Sequence, residues 1–236
     1  MFIRPIHTSN FDWTLNVNWA ANRNKVLDLN GIDNLQLASM QGGVSINAAL
    51  NEAYGTIRGS DYIYLNGKRV VGTNGRYKTT TTSNNIIGNI NPDWTAGVTN
   101  SFRYKNVNFS FLIDTRQGGD LFSLDMYYGL ATGLPEETAG LNDLGNELRA
   151  PLGDGGGVIL DGVKEDGSPN DIRVSAEQFG LFGYRRNPAA GFVYDASFIK
   201  LREVNLNINL PAKWFASSNV FKGANFGVYG RNLWII

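Results

Sequence analysis

The clearest pattern along this chain is a period of two. Phe11, Trp13, Leu15, Val17 and Trp19 alternate with Asp12, Thr14, Asn16 and Asn18. Ala96, Val98, Phe102 and Tyr104 share one parity, with Thr95, Thr99, Ser101 and Arg103 on the other. Val107, Phe109, Phe111 and Ile113 then alternate with Asn108, Ser110 and Asp114. Each run predicts a β-strand with one apolar and one polar face. Lys105-Asn106 alone joins the second run to the third, so the two predict a hairpin, with Asn106 expected to take the positive φ of a primed turn. A longer run, Phe198 to Leu210, changes parity partway. Ile199 and Leu201 lie on one register, Val204, Leu206, Ile208 and Leu210 on the other. One extra residue at Arg202-Glu203, a β-bulge, would restore a common face. Asn205, Asn207 and Asn209 make the opposite face asparagine-rich. Pro211 ends that strand, and Phe226 to Ile236 reads as another.

The remaining segments are richer in punctuation than in pattern. Tyr62 to Leu65 and Arg69 to Val71 flank Asn66-Gly67, and Asn74-Gly75 follows. Both Asn-Gly pairs are strong turn signals, and a small hairpin is expected here. From Gln117 to Phe192 strand patterns are few, while Gly118-Gly119, Leu134-Pro135, Gly153 to Gly157, Asp166-Gly167 and Asn187-Pro188 break the chain repeatedly. Connections beyond roughly 15 residues are uncommon inside a compact domain. The contrast between this excursion and the two-residue turn suits a barrel, whose loops are long on one side and short on the other. The fold expected from these patterns is all-β and antiparallel, with the loop asymmetry favouring a barrel over a simple soluble sandwich.

Composition narrows the classes. Lys+Arg and Asp+Glu both number 21 in 236 residues, which removes the basic excess expected of a nucleic-acid binder. There is no cysteine and one histidine, His7, so thiol chemistry and Cys/His metal centres are excluded. The 28 glycines favour turns and strands over helices. No apolar run approaches the roughly 18 residues of a membrane-spanning helix, but barrel strands need only about 10 alternating residues. The first residues, MFIRPIHTSN, have no apolar leader and meet Pro5 at once. An exported barrel requires a leader, so either the chain is not exported or it is a piece of something longer.

Motifs in order sharpen this. NPDWTAGVTNSFRYKNVNFSFLIDTRQGGDLFS, then VYDASFIKLREVNLNINLP, then FGVYGRNLWII, together resemble the C-terminal barrel region of SusC/RagA-type TonB-linked outer-membrane transporters. The likeness covers most of the chain from about Tyr54. It implies that residues 1–236 are a C-terminal portion of a TonB-dependent receptor barrel, that 117–192 is a long extracellular loop, and that plug domain and signal peptide are absent. It implies location in the outer membrane of a Bacteroidetes-type bacterium, a SusD-like surface lipoprotein as partner, TonB engaged through the missing N-terminal part, and glycan or peptide oligomers as cargo. Phe11, Trp13, Leu15, Val17, Trp19, Val107, Phe109, Phe111, Ile113, Leu206 and Ile208 would then face outer-membrane lipid. Asn16, Asn18, Arg103, Asn108, Ser110, Asn205 and Asn207 would face the lumen.

Candidate chemistry is thin. GDGGGV at Gly153 to Val158 lacks the Lys-Ser/Thr of a nucleotide loop and is read as a flexible loop. Asp154, Asp161, Glu165, Asp166 and Asp171 could gather oxygens for calcium in an outer loop, but their spacing departs from the EF-hand, and solvated charges explain them more simply. Glu136-Glu137 cannot supply opposed carboxylates, and His7 has no evident partner. Arg185-Arg186 and Lys68-Arg69 are read as surface pairs rather than anion sites. Tyr127, Tyr128, Phe179, Phe182, Tyr184 and Phe192 could stack on sugar rings or dock a partner, or pack the loop against itself. No catalytic, cofactor or metal residue is nominated, and the expectation is a non-enzyme. Two alternatives share the alternation: a soluble β-sandwich carbohydrate-binding module and, with less support, a secreted hydrolase. An open set of strands leaves unpaired backbone groups at both edges. The isolated chain is therefore expected to be unstable in water, and a soluble monomer that melts cooperatively would contradict the barrel expectation.

Overall fold

A computed structural model describes residues 1–176, 181–217 and 220–236. Its strands in the first part of the chain are β1 (Phe2–His7), β2 (Phe11–Ala20), β3 (Asn34–Met40), β4 (Val44–Ala49), β5 (Thr56–Gly59), β6 (Tyr64–Leu65), β7 (Lys68–Arg69) and β8 (Asn85–Asn89). The central hairpin is β9 (Trp94–Tyr104) and β10 (Val107–Gln117). Then come β11 (Asp120–Phe122), helix α1 (Leu124–Thr132), β12 (Val158–Ile159), β13 (Arg173–Val174), β14 (Val193–Asp195), β15 (Phe198–Asn209) and β16 (Asn225–Ile235). The fold is all-β and antiparallel in its sheets, as expected, and the chain divides into two units.

The first unit comprises Met1–Arg23, Pro92–Gly119 and Ala196–Ile236. It is one six-stranded sheet in the order β1-β2-β9-β10-β15-β16. The hairpin forms as read, Val107 opposite Tyr104. The positive φ, however, falls on Lys105 (φ 52) and not on Asn106. Asn106 is engaged elsewhere: its Nδ2 donates to the Asn209 carbonyl at 2.9 Å, tying the turn to the end of β15. The bulge at Arg202 is present. Leu112 faces Glu203 while Ile113 faces Leu201, so Arg202 is the additional residue against β10; against β16 the count reverses, with Asn232 and Leu233 lying opposite Arg202. The edge strand β1 was not legible from alternation. It carries its own irregularity between Ile3 and Ile6, spanning Pro5. A proline has no amide hydrogen to donate, and an irregular edge strand is where a sheet tolerates it.

The second unit comprises Asn24–Asn91 and Asp120–Asp195. Two excursions of the chain thus fold together. β3, β4, β5 and β8 form a four-stranded sheet, and β6-β7, β11-β14 and β12-β13 are small pairs. The β6-β7 hairpin turns at Asn66-Gly67 (φ 51 and 77), as its turn signal predicts. The main core draws on both excursions: Val44 and Ile57 from one, Phe122, Tyr127, Ala189 and Phe192 from the other. A second cluster joins Val174, Ala176 and Leu181. Helix α1 was missed, although its ends are marked in the sequence. Ser123 Oγ accepts from the Met126 amide at 3.2 Å, Asp125 stands in the first turn, and Gly133 closes the helix at φ 76.

Phe192 is 1% exposed and packs edge-on against Tyr127 at 5.1 Å. Truncation to alanine removes a buried aromatic that both excursions share. Phe192→Ala is expected to cost about 3–5 kcal/mol, read as a lowered urea midpoint for the chain in detergent micelles. A midpoint unchanged from wild type would show that this core does not hold the unit.

Candidate functional site

In the six-stranded sheet, register alone sorts side chains onto two faces. One row runs Asp12, Arg103, Asn108, Asn207; the next Thr14, Ser101, Ser110, Asn205; the next Asn16, Thr99, Leu112, Glu203. Asn18 faces Gly97, whose missing Cβ leaves room for the amide: a Cβ there would meet Asn18 Oδ1 at 2.8 Å. Asn16, Asn18, Arg103, Asn108, Ser110, Asn205 and Asn207 therefore share one face. Much of that face is short, uncharged and able to both donate and accept hydrogen bonds.

Its charges are paired. Asp12, 7% exposed, accepts from Arg4 Nε at 3.0 Å and lies 3.0 Å from His7 Nδ1 and 3.5 Å from Arg103 Nη2. A second contact joins Arg4 Nη2 to Asp12 Oδ2. His7 thus has a carboxylate partner that sequence reasoning did not assign. The bulged Arg202 reaches Asp114 through Nη2 at 2.6 Å and Nε at 3.1 Å, and Arg231 lies 3.5 Å from Glu203. A cleft of about 470 Å³ opens on this face, lined by Arg4, Asp12, Arg103, Asn108, Ser110 and Asn205 among others.

The opposite face is a wall of apolar rows. Phe11, Tyr104, Val107, Ile208 and Phe226 form one, Trp13, Phe102, Phe109, Leu206 and Val228 the next. Leu15, Val17 and Trp19 of β2 and Phe111 and Ile113 of β10 continue it. Ring centroids step across three strands, Trp13 to Phe102 at 5.8 Å and Phe102 to Phe109 at 6.2 Å, both stacked. A polar residue on this face, Asn100, accepts from Trp13 Nε1 at 3.1 Å. Trp19 is 65% and Trp234 60% exposed.

In the second unit the predicted aromatics separate. Tyr127 is buried between Phe122 and Phe192, and Phe182 packs on the Val174 cluster. Tyr128 is exposed, and Tyr184 stacks on Tyr127 at 5.2 Å while lining a cavity. Phe179 lies outside the described residues. The acidic cluster is dispersed over local bonds: Glu165 with Lys78 at 2.9 Å, Asp171 with Lys164 at 3.2 Å, Asp166 with the Ser168 hydroxyl at 2.6 Å. That serine and its amide hold the Asp166 carboxyl below its usual range, as Arg173 does for Asp143. Among the described residues no group of three or more His, Cys, Asp or Glu could hold a metal ion. The glycine loop is no phosphate cradle either. The amides of Gly155, Gly156 and Gly157 donate to Leu152, Pro151 and Leu148, so none is free for an anion.

One tyrosine was not anticipated. Tyr62 is 5% exposed, with the Arg69 guanidinium 4.2 Å over its ring and Tyr77 edge-on at 5.1 Å. Burial pushes its hydroxyl up to about 12, against a smaller opposing pull from Arg69. The folded chain therefore keeps a proton that the unfolded chain releases from about pH 10, and stability falls as pH rises from 10 through about 12. Tyr62→Phe is expected to flatten that loss in urea titrations across the same window. An unchanged slope would place the alkaline sensitivity elsewhere.

No protein-family model matches this chain. It is similar to TonB-dependent receptor P3 of Formosa agariphila, 24% identical over 253 residues covering 98% of this chain and 23% of that receptor. TonB-dependent receptor P26 of the same organism is 26% identical, covering 97% and 23%. Among solved structures, the RagAB peptide importer in the open-open state superposes with a TM-score of 0.63 at 17% identity, covering 100% of this chain and 24% of that one. The RagAB peptide transporter gives 0.59 at 17%. The chain spans about a quarter of the length of these relatives. The resemblance carried by the NPDW, LREV and GRNL segments is thus found again over the whole chain, in sequence to TonB-dependent receptors and in fold to the RagAB structures. These relatives are named as receptors, importers and transporters.

Proposed function

We propose that this chain is part of the wall, with attached outer loops, of a TonB-dependent outer-membrane transporter. The observation that carries the reading is the six-stranded sheet with unlike faces. β2, β9, β10, β15 and β16 have 10 to 12 residues, the length a tilted strand needs to cross a bilayer. The apolar face would meet lipid. The asparagine-rich face, with its charges neutralised in pairs, would line the lumen, because unpaired charge or wet amides on the lipid side are costly. β1 and β16 each have a free edge in this chain, and in a membrane those edges require further strands. The cargo would be an oligomer of glycan or peptide, received with a SusD-like lipoprotein and moved with energy delivered through TonB.

The two excursions that make the second unit both leave from the end of the sheet marked by Ala20, Trp94, Gln117 and Phe198. Hairpin turns lie at the opposite end, at 8–10 and 105–106, together with the longer 210–224 connection. On the transporter reading the excursion end is extracellular, and 117–192 is the larger outer loop.

Two measurements test this. An antibody to the 117–192 segment should detect outer-membrane material in fractionated cells; signal confined to the soluble fraction would refute the reading. Within the sheet, Phe109→Lys is expected to cost about 2–4 kcal/mol in lipid if it lies near the midplane, and Asn108→Lys far less. Equal costs in bilayer refolding titrations would overturn the facing assignment.

A further inference from the structure

The second unit holds a cavity of about 410 Å³ that unites residues distant in sequence: Arg76 and Tyr77 with Tyr184, Arg185, Arg186 and Asn187. Two pinned turns build it. At one, Gly75 takes φ 74, its amide donates to Gly72, and Asn74 Oδ1 accepts the Arg76 amide at 3.1 Å. At the other, Asn187 Nδ2 donates to the Leu181 carbonyl at 2.8 Å and the Gly183 carbonyl at 3.2 Å, closing the turn that carries the arginine pair. The remaining lining is hydroxyl and amide, from Ser60, Asn74, Thr79 and Thr80, with Pro188.

Among the described residues no Asp or Glu lines this cavity and none of its three arginines forms an ion pair. Arg76 Nε is buried with no hydrogen-bond partner. Arg185 reaches only its neighbour, Nε to the Tyr184 hydroxyl at 3.4 Å. Elsewhere in the unit Arg58 is paired with Glu52 at 2.5 Å, Arg173 with Asp143 at 2.7 Å, and Arg69 lies 4.2 Å over the Tyr62 ring. The sequence makes this concentration stand out further. This unit carries eleven Lys and Arg against seventeen Asp and Glu, so three unpaired guanidinium groups meet where acid is in excess overall. Like charges placed together, with a buried donor left over, match an oxyanion that planar guanidinium forks can hold through paired hydrogen bonds.

We infer that this cavity binds an acidic group, a carboxylate or a sulfate ester, on an oligosaccharide. The sugar is favoured over an acidic peptide because the lining offers side-chain hydroxyls, amides and tyrosine edges and, apart from Pro188, no apolar recess for peptide side chains. The inference rests on the transporter reading and narrows its cargo to acidic glycan.

The test uses the full-length transporter purified in detergent, titrated calorimetrically with oligogalacturonate, with its methyl ester, with a sulfated galactan oligomer and with an oligoglutamate. At least one acidic sugar is expected to bind ~10-fold or more tightly than the neutral ester, with a strong dependence on salt. The triple variant R76Q/R185Q/R186Q should erase that preference while circular dichroism and membrane yield stay unchanged, and the better of the two acids identifies the oxyanion. Equal affinity for acid and ester, no binding of either acidic sugar, a preference that survives the triple variant, or tighter binding of oligoglutamate would each overturn the inference. Membrane fractionation of the same preparation reads the transporter proposal separately, since a misplaced protein and a site without anion preference give different failures.

Discussion

A sheet face made of Trp13, Phe102, Phe109, Leu206 and Val228 in one row and Phe11, Tyr104, Val107, Ile208 and Phe226 in the next must be kept from water. Apolar patches beyond a few hundred Å² are rare on soluble monomers, and this one runs over several strands. Two environments satisfy it: a second protein layer or lipid. The other face decides which features must follow. Buried under a second layer, the apolar face would leave an ordinary solvated side, normally rich in Lys and Glu. Asn16, Asn18, Asn108, Asn205 and Asn207 are instead uncharged and short, and the acids that do occur, Asp12, Asp114 and Glu203, each face an arginine. Such a surface can stay wet beside a membrane at little electrostatic cost. The bulge at Arg202 belongs to the same constraint. It returns Leu206 and Ile208 to the face of Ile199 and Leu201, and it places a guanidinium on Asp114.

The net charge of zero conceals an opposition between the two units. The strand unit holds ten Lys and Arg against four Asp and Glu, the excursion unit eleven against seventeen. The positive unit spends several of its arginines on the polar face in ion pairs. Among the described residues the acidic unit distributes carboxylates over amides, hydroxyls, lysines and arginines, and no group that could hold a metal ion emerges. Against that background a local concentration of arginine is a specific feature and not part of a general field.

The strands were legible because one face of each is apolar and the other polar, which is the condition under which period two is informative. β2, the β9-β10 hairpin, β15 with its bulge and β16 all follow from it. β1 was not, because Pro5 interrupts six residues and its side chains are mostly exposed. The second unit was largely illegible for a different reason. Its core is assembled from single residues, Val44, Ile57, Phe122 and Phe192, spaced far apart along the chain, so no local window contains a pattern. α1 could have been found from Ser123, Asp125 and Gly133, but these signals sit among many other glycines and serines. Arg185-Arg186 looked like a surface pair because the third arginine, Arg76, is brought beside it only by the fold.

Because Val44 and Ile57 share a core with Phe122 and Phe192, the two excursions cannot vary independently. An outer loop usually evolves freely, since little depends on its interior. Here Tyr184 lines the arginine cavity on one side and stacks on Tyr127 on the other, and Tyr127 touches Phe122 and Phe192. The cavity wall is therefore continuous with the core, and the core is shared between segments separated by the whole central hairpin. A ligand held by Arg76 and the Arg185-Arg186 turn would bridge both excursions and load the same packing that joins them. Rigid support of this kind holds binding groups in fixed geometry, which a free loop cannot do. Recognition in this unit is then a property of the pair of excursions, and exchanging one without the other would dismantle the core before it altered specificity.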